Sequence, residues 1–423
     1  MHTSSYWAKT SNTQRNREQL AGSVTTDVVI VGAGFTGLAT SYYLQKLGYK
    51  TVVLDEHCVG WGGSGRNGSL MLVGYKHSLV AIAKKYGIEA AKEMLHMSLD
   101  GINLVKEIVE NHQIACDLTK KGSFCAAFKP SHFEGLKKEQ EFMMKHLDYE
   151  NYIVDAKNSK QEVDSPLYHG GLIDPNSHYF HPLNYAIGLA DAVESVGGVI
   201  YEQSPAISIS RQQNRVTVST PQGQVEAKEL VIATNGYTSP LVKKLYKSVI
   251  PVKSFMIATN PLDPKVADSL IPNRRGVFDT KKWLYYFRLS TDNRLLFGGR
   301  VDFRAEENDK LFSTLRGNML EVFPQLQNSK IDLKWGGNLA LTMDMFPHIG
   351  RTEDGTHFAL GYSGHGVSLS TLMGKLLALN IHQKDRKLTT LEKLPLKEVP
   401  LHGQRFIVLN IVGSYFRFLD LVS

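Results

Sequence analysis

Cysteine is nearly absent from this chain. Its 423 residues hold three, Cys58, Cys116 and Cys125, with no Cys-x-x-Cys pair and too few thiols for a disulfide framework. Unpaired thiols suit a reducing compartment, so the expected location is the cytoplasm. No apolar stretch runs uninterrupted for 18 residues, which argues against a spanning helix. Segment 1–22 is polar and lacks the basic, apolar, small order of a secretory signal. The nearest approach to an anchor, Phe406 to Val422, is interrupted by Asn410, Ser414, Arg417 and Asp420, and it fits one face of a docked C-terminal helix. Charge is not concentrated either: the formal +7 comes from scattered pairs such as Lys84-Lys85, Lys120-Lys121 and Arg274-Arg275. Without a basic tail there is no reason to expect nucleic acid as a partner, although the mild bias suits an anionic cofactor or substrate. A Gly-x-Ser-x-Gly elbow is missing, which leaves triad hydrolysis unsupported. His178-x-x-His181 has ligand-like spacing, but no cysteine or carboxylate nearby completes a site, so no metal is expected.

What is present is concentrated in residues 26–56. A hydrophobic strand, Asp27 to Val31, leads into Gly32-Ala33-Gly34-Phe35-Thr36-Gly37. A helix follows from Leu38 to Leu47, then a turn at Gly48 and a second strand, Thr51 to Leu54, ending in Asp55-Glu56. In this βαβ context the glycine pattern is a dinucleotide fingerprint. Gly32 permits the tight turn, Gly34 lets the backbone approach a pyrophosphate and Gly37 lets the helix pack on the strand. The helix N-terminus offers free N–H groups to the phosphate. Asp55, eighteen residues beyond Gly37, stands where a carboxylate takes ribose hydroxyls.

Length allows two domains, and 42% hydrophobic with 21% charged residues is a globular composition. After the glycine-rich stretch Gly60 to Ser69, residues 78–113 carry apolar positions at helical spacing, and a lysine-rich surface helix is expected over 133–146. A second block opens at Asp174-Pro175. Pro182 starts a helix running to Val196, stopped by Gly197-Gly198. Short strands follow at 199–201, 207–209, 216–218 and 224–227, then a continuous apolar strand, Leu230 to Ala233, of the kind buried on both faces. Residues 250–335 are β-rich, with a hairpin around Thr291-Asp292-Asn293. A second glycine turn, Gly361 to Gly366, precedes a last helix from about Val367 to Asn380. The expected fold is α/β: a Rossmann-like nucleotide-binding domain formed by 1–95, 166–248 and 336–423, with an inserted antiparallel β-rich substrate domain formed by 96–165 and 249–335.

Four motifs stand in order: Gly32-x-Gly34-x-x-Gly37, Ser64-Gly65-Arg66-Asn67-Gly68, Ala233-Thr234-Asn235-Gly236, and Gly361-Tyr362-Ser363-Gly364-His365-Gly366. With them the chain resembles, over roughly 5–423, the D-amino-acid-oxidase-type FAD-dependent oxidoreductases, of the glutathione-reductase/p-hydroxybenzoate-hydroxylase kind of fold. Segments 286–299, 181–184, 323–326 and 361–367 resemble most its γ-glutamylputrescine oxidoreductase branch. The resemblance implies FAD contacts at Gly32, Ala33, Gly34, Phe35, Thr36 and Gly37, at Asp55 and Glu56, and at Ser64, Gly65, Arg66, Asn67, Gly68 and Ser69. It adds Ile207, then Thr234, Asn235 and Gly236, and finally Gly361, Gly364, His365, Gly366 and Val367. Arg66 would offset phosphate charge. The second turn would aim its amides at the flavin N1–C2 edge, with His365 beside it.

Two departures from the family pattern are informative. Members that act on α-amino acids carry an arginine, two residues past the glycine of a Trp-x-Gly stretch, that clamps the substrate carboxylate. Here Trp335-Gly336-Gly337-Asn338-Leu339 puts leucine in that slot. An α-carboxylate would be left unpaired, which points to an amine whose reacting carbon bears no carboxylate. The cysteine or histidine that tethers flavin in some relatives is missing from Leu341-Thr342 and from Gly60 to Gly65, so noncovalent FAD is expected. The expected chemistry is hydride transfer from an amine to the flavin N5, imine hydrolysis to an aldehyde, and reoxidation by O2 to H2O2. His365, Tyr286, Arg288 and Arg300 are the candidate catalytic or substrate-binding residues, the arginines for a distant carboxylate. Trp283, Tyr285, Tyr286 and Phe287 read equally as cavity wall or as sheet core, and alternation puts only two of them on one face. The competing functions are an amino acid oxidase or dehydrogenase of D-amino acid, glycine or sarcosine type, an RNA-modifying flavoprotein, and a nonenzymatic flavin-binding protein.

Overall fold

Every residue of the strand Val28–Val31 is buried, and the alternation of its side chains explains how. Val28 and Ile30 point into a core made with helices, while Val29 and Val31 point into a second core on the opposite face. The fold is that of a computed structural model, which describes residues 2–302, 307–383 and 385–404, with backbone only at 300–302. The expected C-terminal helix over 406–422 lies outside the described residues.

The strand belongs to a six-stranded sheet in the order His348–Arg351, His357–Leu360, Glu229–Ile232, Val28–Val31, Thr51–Leu54, Val199–Tyr201. All neighbours are parallel except the first pair. One face carries the helices Phe35–Lys46, Ile88–Asn111, Pro182–Ser195 and Gly366–His382. The other carries a four-stranded sheet, Gly22–Thr25, Gly223–Ala227, Arg215–Ser219 and Ser208–Gln212, whose Val216, Val218, Val225 and Ala227 meet Val29, Val31, Val52 and Leu54. A parallel strand covered on both sides must be apolar throughout, as Val28–Val31 and Glu229–Ile232 nearly are.

A second sheet has eight strands in the order Ile331–Leu341, Ile250–Thr259, Leu295–Asp302, Tyr286–Leu289, Gly276–Asp279, Ser123–Ala126, Gly170–Asp174, Tyr152–Asp155. It is antiparallel except between Gly276–Asp279 and Ser123–Ala126. Its own core packs beneath the helix Asp309–Val322. Two features differ from the sequence expectation. Gly170–Asp174, expected in the nucleotide-binding part, pairs between Ser123–Ala126 and Tyr152–Asp155. The helical stretch 78–113 breaks at Gly87 (φ +94°), which ends Leu79–Tyr86 and starts Ile88–Asn111. The longer helix runs through the expected boundary at residue 95 and packs on the nucleotide-binding core along its length.

Candidate active site

The two glycine turns, distant in sequence, open onto one cavity of about 500 Å³. Each begins a helix whose N-cap residue makes no side-chain capping bond. Gly34 is the N-cap of the 12-residue helix Phe35–Lys46, and His365 is the N-cap of the 17-residue helix Gly366–His382. Such N-termini leave N–H groups and the positive end of the helix dipole facing the cavity, which suits an anionic group at each turn. The first turn is shaped by its glycines. Gly32 has φ +110°, and a Cβ on Gly37 would stand 1.9 Å from the Gly32 carbonyl oxygen. A hydrogen bond of 2.6 Å between the hydroxyls of Thr36 and Tyr362 ties the two turns together.

The walls hold most of the expected cofactor residues. From the first turn come Gly32, Ala33, Gly34, Phe35 and Thr36; from the following strand end, Asp55 and Glu56. Ser64, Arg66, Asn67 and Gly68 line it from the glycine-rich loop, Thr234 and Asn235 from the end of Glu229–Ile232, and Gly364, His365, Gly366 and Val367 from the second turn. Asp55 accepts the N–H of Ala33 at 2.7 Å and of His57 at 2.8 Å. Burial pushes its carboxyl above the ordinary value, against the pull of those two N–H groups. The Ser64 hydroxyl accepts the Phe35 N–H at 3.0 Å, which joins the loop to the helix.

Gly37, Gly65, Gly236 and Gly361 lie behind the wall, where they let backbone and side chains close up. Ser69 is also behind it, holding Arg288. Ile207 does not reach the cavity. Its N–H donates to the Ser219 carbonyl at the start of the edge strand, its side chain is 58% exposed, and Pro205 and Ala206 occupy the wall instead.

The cavity contains polar atoms that fit FAD. Arg66 is buried on the Trp61 ring, 3.9 Å from its centroid, and its Nε and Nη2 have no hydrogen-bond partner. A guanidinium stripped of water without a counter-charge is costly, and a pyrophosphate would supply the missing acceptors. Nδ1 of His365 is likewise buried and without a partner. Burial, followed by the charge of Lys76, pushes the His365 pKa down to about 4, so its ring is neutral near pH 7.

The eight-stranded sheet closes the other side. Tyr286 lines the cavity, wedged so tightly that a Cβ on Gly298 would lie 2.2 Å from its ring and one on Gly68 2.6 Å. Its hydroxyl meets that of Ser254 at 3.0 Å. Trp283 joins it on the wall, whereas Tyr285 and Phe287 point into the sheet core. Leu339 lines the cavity. Arg288, expected at the substrate, does not. It lies on the face of Tyr286 but two residues further along the strand, where the Ser69 hydroxyl at 2.6 Å, the Phe180 carbonyl and the rings of Trp7 and Tyr179 enclose it. Burial lowers its pKa to about 10. The Arg300 side chain lies outside the described residues. No cluster of metal-ligating side chains occurs among the described residues; His178 and His181 bond instead to Ser177 and to Thr10 and Asn184. Trp61, Tyr237, Phe278, Lys76 and Lys282 also line the cavity. Sequence reasoning did not place them at the cavity, because each is an ordinary loop or strand residue until the chain folds.

Comparison with known proteins agrees with this geometry. Residues 27–379 match the DAO family model, described as FAD dependent oxidoreductase. The chain is 36% identical over 405 residues to the gamma-glutamylputrescine oxidoreductase of Escherichia coli, covering 96% of this chain and 94% of that one. It is 38% identical over 427 residues to the probable oxidoreductase OrdL of Haemophilus influenzae, covering 99% and 97%. Among solved structures, glycine oxidase from Geobacillus kaustophilus superposes with a TM-score of 0.75 at 20% identity, over 88% of this chain and 99% of that one. No helix among the described residues is long and apolar enough to cross a membrane. The chain therefore belongs to the DAO family of FAD-dependent oxidoreductases, and its cofactor is FAD.

Proposed function

We propose that the protein oxidises an amine whose reacting carbon carries no carboxylate, in the class of γ-glutamyl amines such as γ-glutamylputrescine or a related primary or secondary amine. The observation that carries this reading is Leu339 on the cavity wall. Among the described residues Arg66 is the sole arginine lining the cavity, where it packs on Trp61 and beside Gly337. An α-carboxylate beside the reacting carbon would meet leucine and lose its hydration without a partner. The likeness to the Escherichia coli enzyme supports the same class.

FAD, once bound, supplies the acceptor for the hydride equivalents leaving the α-carbon of the amine. The chain supplies the rest. Tyr286, fixed by Gly68, Gly298 and Ser254, and Trp283 form an aromatic wall that favours the neutral amine over the ammonium form. That wall limits the orientations in which the C–H bond can be presented. The neutral His365 and the helix behind it place a positive dipole end at the second turn. The imine product is hydrolysed by water to an aldehyde and ammonia or a released amine, and O2 is the final acceptor, giving H2O2. FAD is held noncovalently, because Leu341-Thr342 and Gly60 to Gly65 hold neither the cysteine nor the histidine that tethers flavin in some relatives, and the three free cysteines suit a cytoplasmic protein. Acid precipitation should release all of the flavin.

The test is anaerobic mixing. Oxidised-flavin absorbance should disappear with γ-glutamylputrescine and persist with D-alanine, glycine and sarcosine. Bleaching by the amino acids and by no amine would overturn the reading in favour of an amino acid oxidase. Yellow protein that no compound bleaches would favour a flavin-binding protein.

A further inference from the structure

We propose that Trp7 is a positioning residue of the FAD site, acting with Arg288 on the rear of the glycine-rich loop whose front lines the cavity. Neither side chain lines the cavity itself. Trp7 comes from the short helix Tyr6–Lys9, ahead of residue 27, where the match to the family begins. Arg288 comes from the strand Tyr286–Leu289. Both act toward the cofactor, whichever substrate is oxidised.

Three groups of the loop are held from behind by three remote segments. The Trp335 indole N–H donates to the Arg66 carbonyl at 3.1 Å, and the Trp7 indole N–H donates to the Asn67 carbonyl at 2.9 Å. The Arg288 Nε donates to the Ser69 hydroxyl at 2.6 Å. The donors form one packed unit: Trp7 and Trp335 meet edge to face with centroids 6.3 Å apart, and the Arg288 guanidinium lies over the Trp7 ring. The loop needs such support. Ser69 is held at φ +67°, a left-handed conformation that serine seldom adopts. Its N–H is taken by Asn67 Oδ1 at 2.8 Å, and Asn67 Nδ2 donates to the carbonyls of Gly63 and Ser64. The front of the loop carries Arg66, Asn67 and Gly68 into the cavity wall. Because peptide planes are rigid, pinning the carbonyls of residues 66 and 67 sets where the Gly68 backbone and the Arg66 guanidinium, with its two unpartnered nitrogens, stand. Gly68 has no slack in front either, since a Cβ there would lie 2.6 Å from the Tyr286 ring. The three acceptors of Arg288, the Ser69 hydroxyl and the carbonyls of Leu289 and Phe180, are all neutral. A buried cation without a carboxylate is a poor source of stability; the loop it holds accounts for its place.

The test measures FAD affinity and the visible circular dichroism of the bound flavin in the full-length protein and three variants. Trp7→Phe keeps a ring and removes the indole N–H. Ser69→Ala detaches the loop from Arg288. Tyr6→Phe is the control: the same helix loses the bond from the Tyr6 hydroxyl to Asp292 at 2.7 Å, and the loop loses nothing. Trp7→Phe and Ser69→Ala should each weaken FAD roughly 10-fold, the worth of one buried hydrogen bond, and alter the flavin dichroism. Tyr6→Phe should lower the melting temperature of the FAD-free protein and leave both flavin readings unchanged. Wild-type affinity and dichroism in Trp7→Phe, or an equal loss of affinity in Tyr6→Phe, overturns the assignment and reduces Trp7 to a packing residue. If Trp7→Phe does not fold, Ser69→Ala decides against the same control. Weaker FAD with altered dichroism then supports the rear support of the loop, and unchanged flavin refutes it. None of these readings needs a substrate, so they stand or fall apart from the amine oxidation proposed above.

Discussion

The hydroxyls of Thr36 and Tyr362 meet at 2.6 Å across 326 residues of chain. Thr36 stands in the first turn of the helix behind one glycine turn, and Tyr362 stands inside the other. Both side chains are buried, at 5% exposure each. The bond ties together the two glycine turns that open onto the cavity.

Removing the Tyr362 hydroxyl tests that role. Tyr362→Phe leaves the ring in place and strands the Thr36 hydroxyl without its partner, which costs about 1–3 kcal/mol. The melting temperature of the FAD-free protein should fall by several degrees, and flavin should dissociate faster on dilution. An unchanged flavin off-rate with a lowered melting temperature would mean the bond stabilises the fold without setting the site.

Gly37 admits no side chain. A Cβ there would overlap the Gly32 carbonyl oxygen at 1.9 Å and press on Ile30 at 3.2 Å. Ile30 is held in the sheet and Gly32 is tied to it by its N–H on the Leu54 carbonyl, so the helix itself has to move away from the strand. Gly37→Ala should yield protein that is either insoluble or colourless after reconstitution with FAD. Recovery of a normal flavin spectrum would show that the helix can shift without losing the anion site.

The parts of this molecule that could be read in the sequence are those built from neighbours in the chain. The strand, glycine turn, helix and strand from Val28 to Leu54 are local, and their hydrophobic periods, glycines and terminal acid agree with one another. The split between Tyr286 on the cavity wall and Tyr285 and Phe287 in the core follows from strand alternation. Choices made by distant partners were not legible. Gly170–Asp174 looks like any short strand, and only its pairing with Ser123–Ala126 and Tyr152–Asp155 puts it in the second sheet. Arg288, the sequence candidate for a distant substrate carboxylate, is instead buried away from the cavity. Trp7, Tyr179, Phe180 and Ser69, which enclose it, come from remote segments. Lys76 and Lys282 share no motif; the fold alone brings them to one wall.

Protonation of His181 should limit stability in acid. Its ring is 2% exposed, with Nδ1 accepting the Asn184 N–H at 3.1 Å as the N-cap of Pro182–Ser195. A protonated ring cannot accept that bond. Burial, followed by the nearby charge of Arg288, lowers its pKa to about 4 from 6.5. Since the folded value is the lower one, the unfolded chain binds more protons between pH 6.5 and 4, and stability is lost as pH falls through that window. The loss from this group is at most roughly 3 kcal/mol. His181→Asn keeps an N-cap acceptor and should flatten the dependence of the urea midpoint on pH over that range. An identical slope in the variant would place the acid sensitivity elsewhere.

Leu339 is the position at which a change of substrate class should be possible with one substitution. It lies in the strand Ile331–Leu341, paired to Val252, and it lines the cavity. Leu339→Arg would place a guanidinium on that wall, where an α-carboxylate could take two parallel hydrogen bonds. Glycine or D-alanine should then bleach the flavin under anaerobic conditions, with kcat/KM raised roughly 10- to 100-fold over the wild type, the worth of a charge-assisted contact. The same charge disfavours an ammonium nearby, and it crowds the apolar surface that the uncharged amine uses. Turnover of γ-glutamylputrescine should therefore drop in the variant. If amino acid oxidation does not rise while the variant binds FAD normally, the leucine is not what excludes α-amino acids. The selectivity would then have to come from the aromatic wall of Trp283 and Tyr286.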